Sequence, residues 1–130
     1  LNRDLGFSDE DRIENLRRVG EVSKILYDSG VFVLASFISP FAKDRRNIKE
    51  LFNEDDFFEI YVKCDIESLK KRDPKGLYKK ALSGEIPNFT GINSTYEEPE
   101  NPDLVLDTSK LTINECSKII IDYLEEKHAI

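Results

Sequence analysis

Apolar residues recur along this chain with two different spacings, and together these spacings predict alternating helices and strands. Between residues 8 and 29 they recur every three or four positions, which predicts a long amphipathic helix. Ser8 can cap its first turn, and Gly30 is a suitable stop. A capping box at Thr112–Glu115 predicts a last helix that runs to about Lys127. Its expected inward residues are Ile113, Cys116, Ile119, Ile120 and Tyr123.

Three shorter apolar runs predict strands. Residues 31–38 form a near-continuous apolar run without alternation, as expected for a strand buried on both faces of a parallel sheet. Residues 57–62 and 104–106 predict two more strands. We expect Ser39 to cap a helix with Pro40 in its first turn. The remaining helical signals are an apolar edge at Ile48, Leu51 and Phe52, and a short helix at about Ile66 to Lys71.

This order predicts a single α/β domain over residues 1–130, with a three-layer parallel sheet flanked by helices and joined by right-handed crossovers. Three strands make a thin sheet, and the chain contains no Met. We therefore expect the domain to be incomplete, with a strand and a loop missing at its N-terminus. The long polar stretch at residues 73–102 carries three Gly and four Pro, which is typical of a functional lid. We place this lid at about residues 72–95.

Composition narrows the functional classes. The chain has a formal net charge of −7, with 39% hydrophobic and 35% charged residues, as in a globular cytoplasmic protein. It contains no apolar run long enough for a membrane span, and its acidity argues against general nucleic-acid binding. The two isolated cysteines, Cys64 and Cys116, are expected to be reduced thiols.

The segment from Lys70 to Lys80 has the opposite charge, with six cations and one anion. It indicates a polyanionic ligand, most simply a phosphate. The alternative is a solvated helix face that turns at residues 74–76. Asp73 either locks the base of the lid or pairs with Arg72.

Five motifs carry a family resemblance in order and in register: Leu5-Gly6-Phe7-Ser8, Asp11-Arg12-Ile13-Glu14-Asn15, Phe37-Ile38-Ser39-Pro40, Asp73 to Lys80, and Asn88-Phe89-Thr90-Gly91-Ile92. Together they resemble adenylylsulfate kinase, over essentially the whole chain. This resemblance implies a phosphate-loop nucleotide-kinase fold. It also implies transfer of the ATP γ-phosphate to the 3′-hydroxyl of adenosine 5′-phosphosulfate, in sulfate activation.

One departure from the family pattern is large. Such kinases carry a Gly-x-x-x-x-Gly-Lys-Ser/Thr loop that holds the ATP phosphates, and this sequence has none. The ligands of Mg²⁺ and the catalytic base are expected in the same missing segment, so none of the residues present is expected to be a metal ligand. We predict that the chain alone is inactive. The alternatives are a non-catalytic module that binds an adenylylated ligand, and another nucleotide kinase with a similar lid.

The resemblance also implies residue roles. Phe7 and Phe89 would stack on the two faces of the substrate adenine. Arg12, whose alternative is an ion pair with Asp9 or Glu10, would hold the phosphosulfate. The other implied substrate-binding residues are Ile13, Glu14, Asn15, Ile38, Ser39, Lys75 and Asn88, while Arg72, Lys79 and Lys80 would neutralise charge on ATP from the lid.

Ser39 is the implied catalytic residue, since it corresponds to a serine described in bacterial relatives as a phosphoserine intermediate. No neighbouring base in the sequence is apparent to activate its hydroxyl, so direct in-line transfer is chemically simpler. The implied partners are a second copy of the chain in a homodimer and a fused or separate ATP sulfurylase. The acidic runs 54–56 and 97–100 are interpreted as surface.

Overall fold

A computed structural model describes residues 1–130, which divide into two compact units. The first unit contains residues 1–57 and 87–98, and the second contains residues 58–86 and 99–130. The order of elements confirms the predicted α/β class. The helices and strands are α1 (Asp9–Asp28), α2 (Ala42–Lys49), β1 (Ile60–Lys63), α3 (Ile66–Arg72), α4 (Leu77–Leu82), β2 (Leu104–Asp107) and α5 (Ile113–Glu126).

In the first unit, helix α1 begins and ends next to the residues that predicted its start and its end, Ser8 and Gly30. The Ser8 hydroxyl accepts the backbone N–H of Asp11 at 3.1 Å, and Gly30 has a φ of 79° just after the helix ends. On its packed side, a Cβ on the buried Gly20 would lie 3.1 Å from Ile48. The absent side chain therefore lets α1 and α2 approach closely.

In the second unit, β1 and β2 pair in parallel, with Ile60 opposite Leu104. Leu106 of β2 and Leu124 of α5 supply the buried core, at 1% and 5% exposure. The predicted capping box of α5 is present in both directions between Thr112 and Glu115. The prediction that Ile113 faces inward is wrong, because this first helical residue is 83% exposed.

The expected strand at residues 31–38 does not form. The sheet contains only β1 and β2, and residues 31–38 take no part in it. Leu34 is 82% exposed and Ile38 is 60% exposed, so this segment is not buried on both faces. The physical reason is that a strand needs a hydrogen-bonded neighbour, and no segment of these 130 residues pairs with it.

One further prediction about a helix is wrong. Ser39 does not cap α2, because its φ of 38° is far from the extended conformation of an N-cap residue. Phe41 occupies the N-cap position instead, and the helix begins at Ala42. The polar stretch after residue 73 also contains α4, a helix of 6 residues that lacks a longer apolar repeat but buries Ala81. Every helix of the chain is too short or too polar to cross a bilayer.

Candidate functional site

In the first unit, Arg12 connects the start of α1 to the segment that contains Phe89. Its guanidinium donates to the carbonyl oxygen of Asn88 at 2.6 Å and to the Thr90 hydroxyl at 2.7 Å. Its Nε donates to the carbonyl oxygen of Phe7 at 3.1 Å. The partners of Arg12 are therefore not the neighbouring acids of its own helix, which was the alternative expected from the sequence.

Through these three contacts Arg12 connects the backbone of Phe7 to the residues on either side of Phe89. Phe7 and Phe89 are the two residues predicted to stack on adenine. Phe7 is 78% exposed and sits just before the cap of α1. Phe89 is half-buried and follows Asn88, which has a left-handed φ of 56°. The backbone N–H of Phe89 donates to the Asn93 side chain, and the Phe89 carbonyl accepts from Ile92 at 3.1 Å. A tight turn therefore presents Phe89.

Two of the three residues that follow Arg12 in the predicted substrate motif, Glu14 and Asn15, form side-chain hydrogen bonds within the protein. Glu14 accepts bidentate hydrogen bonds from Arg17 at 2.7 and 2.9 Å, and Arg18 donates to it at 2.7 Å. These bonds lower the pKa of Glu14 to about 2. Asn15 accepts a hydrogen bond from Asn2. Ile13 is 43% exposed.

The predicted residues Ile38 and Ser39 lie before α2 in the same unit. Ser39 is half-buried, and its carbonyl oxygen accepts from Arg45 at 2.6 Å. The carboxylate of Glu97 accepts the backbone N–H of Ala42 at 2.6 Å. The interpretation of Glu97 as a surface residue is therefore incomplete. Neither Arg45 nor Glu97 was a candidate from the sequence, because the segments that they join are far apart along the chain.

The second unit carries the cationic segment. Arg72 donates to the carbonyl oxygen of Thr108, just after β2. Asp73 accepts the backbone N–H groups of Tyr78 and Lys79, each at 3.1 Å, so it secures the start of α4 and does not pair with Arg72. The remaining cations predicted to bind substrate or ATP are exposed, namely Lys75, Lys79 and Lys80.

A sequence model of the family described as adenylylsulphate kinase matches residues 1–107. The chain belongs to the adenylylsulfate kinase family. An adenylyl-sulfate kinase of Bacillus licheniformis is 56% identical over 127 residues, covering 98% of this chain and 64% of that protein. One of Staphylococcus epidermidis is 52% identical over 130 residues and is covered to 65%. The chain thus spans about two thirds or slightly less of the length of these relatives.

Comparison with a solved structure shows that the similarity includes the fold. The Mycobacterium tuberculosis APS kinase CysC in complex with AMPPNP and APS matches with a TM-score of 0.88 at 46% identity. The match covers 95% of this chain and 72% of that one. It confirms the predicted phosphate-loop kinase fold and the assignment to the adenylylsulfate kinase family.

No group of three or more His, Cys, Asp or Glu side chains in the chain is arranged so that it could hold a metal ion.

Proposed function

We propose that this chain forms the part of an ATP-dependent adenylylsulfate kinase that holds adenosine 5′-phosphosulfate. The observation that carries the proposal is the set of Arg12 contacts with the backbone of Phe7 and with residues 88–90. Two aromatic residues from distant parts of the sequence are thereby presented by the same unit. Each ring face stacked on adenine stabilises the complex by about 1–3 kcal/mol, by analogy with nucleic-acid bases.

Arg12 can also contact the anionic end of such a substrate. An arginine has five N–H donors, and three are used by Phe7, Asn88 and Thr90. The remaining two are available for a phosphosulfate oxygen. A guanidinium held by three bonds needs little reorganisation when an oxyanion binds, which favours affinity. Ile38 and Ser39 are proposed as a further wall for the substrate.

In the second unit, the exposed cations Lys75, Lys79 and Lys80 supply positive charge for anionic groups. We propose that Lys75 binds adenosine 5′-phosphosulfate and that Lys79 and Lys80, together with Arg72, act on ATP. Phosphoryl transfer depends mostly on such positioning and charge neutralisation. This role is consistent with the predicted lid at about residues 72–95, whose closure would exclude water.

The remaining parts of the proposal follow from the family. Direct in-line transfer needs no phosphorylated Ser39, because positioning and charge neutralisation supply most of the catalysis. The free thiols Cys64 and Cys116 are consistent with a cytoplasmic protein. A homodimer and an ATP sulfurylase partner stay predictions, which sedimentation and co-purification would test.

Calorimetric titration with adenosine 5′-phosphosulfate tests the binding function directly. Binding should be lost with Arg12→Ala and kept with the exposed control Arg46→Ala. To test transfer, this chain would replace the 127 matching residues of the Bacillus licheniformis relative. ATP-dependent formation of the 3′-phosphorylated product by this chimera would support the kinase.

The second candidate function is a non-catalytic module that binds an adenylylated ligand, and it would use the same Arg12 contacts with residues 7 and 88–90. Binding by the chain together with an inactive, folded chimera would support the module. Failure of the chain to bind the nucleotide would contradict both functions.

A further inference from the structure

Glu97 is joined to the start of α2 in both directions. Its carboxylate accepts the N–H of Ala42 at 2.6 Å, and its own N–H donates to the carbonyl oxygen of Pro40 at 2.8 Å. The first N–H groups of a helix lack partners within the helix, and a negative charge is favourable there. Glu97 thus supplies from a distant segment the cap that Ser39 does not provide.

Arg45 also connects the segment before α2 to the segment that contains Glu97. Its Nη1 donates to the carbonyl oxygen of Ser39 at 2.6 Å, and its Nη2 donates to the carbonyl oxygen of Glu97 at 2.7 Å. The planar guanidinium therefore holds one carbonyl from each segment. We call these two residues, Arg45 and Glu97, the Arg45–Glu97 clamp.

The backbone between these contacts is unusual. Ser39 has a φ of 38° and precedes Pro40, although residues other than Gly rarely adopt positive φ. Such a conformation persists only where its surroundings fix it, and it is often found at functional sites. Here the surroundings are the clamp bonds to Ser39, Pro40 and Ala42.

We propose that Arg45 and Glu97 are positioning residues for adenosine 5′-phosphosulfate. They hold Ile38 and Ser39 in the geometry that contacts the substrate, and they anchor the end of the segment that carries Asn88 and Phe89. The clamp thereby couples two parts of the proposed site without touching the substrate. This inference rests on the proposed function, because it concerns the same binding site.

The hydrogen bonds of the clamp predict the order of its variants in affinity for adenosine 5′-phosphosulfate. Removing the charged partner of a backbone hydrogen bond should weaken substrate binding about tenfold or more, since such bonds contribute more than neutral ones. Glu97→Gln keeps an oxygen that can accept the Ala42 N–H but loses the negative charge, so it should restore part of the affinity. Arg45→Lys offers one nitrogen in place of two and should restore less.

The experiment is calorimetric titration of the 130-residue chain with adenosine 5′-phosphosulfate, well below its melting temperature. Arg45→Ala and Glu97→Ala should raise the dissociation constant about tenfold or more. Glu97→Gln should have a dissociation constant between those of Glu97→Ala and the natural chain. The controls Arg46→Ala and Glu100→Ala remove exposed charges near each clamp residue and should leave affinity unchanged.

Two outcomes separate this inference from the proposed function. If the natural chain does not bind the nucleotide, the proposed function fails. If it binds and the folded alanine variants bind equally well, the clamp has only a structural role and the inference is overturned. If the alanine variants do not fold, Glu97→Asp decides, because the carboxylate stays but is one methylene too short to reach Ala42. Undiminished affinity in that folded variant would also overturn the inference.

Discussion

The guanidinium of Arg12 donates a 2.7 Å hydrogen bond to the hydroxyl of Thr90, a residue 78 positions further along the chain. This contact belongs to a set that also includes the carbonyl oxygens of Phe7 and Asn88. Arg12, which the family resemblance implied as a substrate-binding residue, therefore also organises the protein around it. Substitution of Thr90 can separate substrate binding by Arg12 from its organisation of the protein, because Thr90 contributes only to the organisation.

The first prediction concerns this pair. Thr90→Val should weaken binding of adenosine 5′-phosphosulfate by about two- to tenfold, since it removes one charge-assisted hydrogen bond. Arg12→Ala should have a larger effect, because it removes both the organisation and the contact with the anion. Calorimetric titration of both variants checks the order, with Thr95→Val as the control on an exposed threonine. A larger effect of Thr90→Val than of Arg12→Ala would be inconsistent with the proposed role of Arg12.

The second prediction concerns the ring of Phe89. Phe89→Ala should raise the dissociation constant of adenosine 5′-phosphosulfate by roughly five- to 150-fold, since it removes one stacking face. Its effect on the melting temperature should be small, because this half-buried ring lies in a turn outside the helices. Calorimetry and thermal unfolding measure the two quantities. A lower melting temperature with unchanged affinity would show that Phe89 is a packing residue.

How much the sequence predicted depends on how local each signal is. Helix α1 is capped by Ser8 at its start, and α5 by Thr112 and Glu115 within its own first turn. The paired strands β1 and β2 also carry their signal locally, as short runs of β-branched and aliphatic residues. These elements were therefore predicted to within a few residues.

The errors arise where distant residues decide the structure. The N–H of Ala42 is capped by Glu97 from 55 positions away, which no capping pattern around Ser39 could indicate. For the same reason the sequence did not indicate the contacts of Arg45 or of Glu97, although Glu97 is exposed as predicted. The prediction of a strand at residues 31–38 is wrong because an apolar run indicates only that a segment tends to be buried. It does not indicate whether a neighbouring strand is present to pair with that segment. The proposed substrate-binding residues came from the family resemblance and not from local patterns, and they stay predictions.

The third prediction concerns Lys75, an exposed cation of the second unit. Lys75→Ala should raise the dissociation constant of adenosine 5′-phosphosulfate by about tenfold, as expected for a charged group that contacts an oxyanion. Lys110→Ala is the matched control, because it removes an exposed lysine of the same unit that is outside the cationic segment. Calorimetry at two salt concentrations should show a smaller effect at high salt. Equal affinities for Lys75→Ala and the natural chain would exclude Lys75 from the site.

The fourth prediction concerns Asp73 and helix α4. Asp73→Ala removes the acceptor for the N–H groups of Tyr78 and Lys79, and loss of a helix cap typically destabilises by about 1 kcal/mol. Hydrogen exchange at these two amides should therefore become faster. Asp73→Asn keeps one carbonyl oxygen and should have an intermediate effect. Unchanged exchange in Asp73→Ala would mean that α4 does not depend on this cap.

The last prediction concerns pH and the ion pairs of α1. Hydrogen bonds from Arg17 and Arg18 lower the pKa of Glu14 to about 2, from an ordinary value of 4.5. A carboxylate with a lowered pKa stabilises the folded state above its unfolded pKa, and this contribution is lost as the pH falls from 4.5 towards 2. Glu14→Gln should therefore lower the melting temperature at pH 7, and the difference from the natural chain should shrink steadily below pH 4.5. Thermal unfolding across this range measures it, with Glu100→Gln, an exposed residue outside the helices, as the control for loss of charge alone. A difference between Glu14→Gln and the natural chain that stays constant to pH 2 would show that these ion pairs do not contribute to stability.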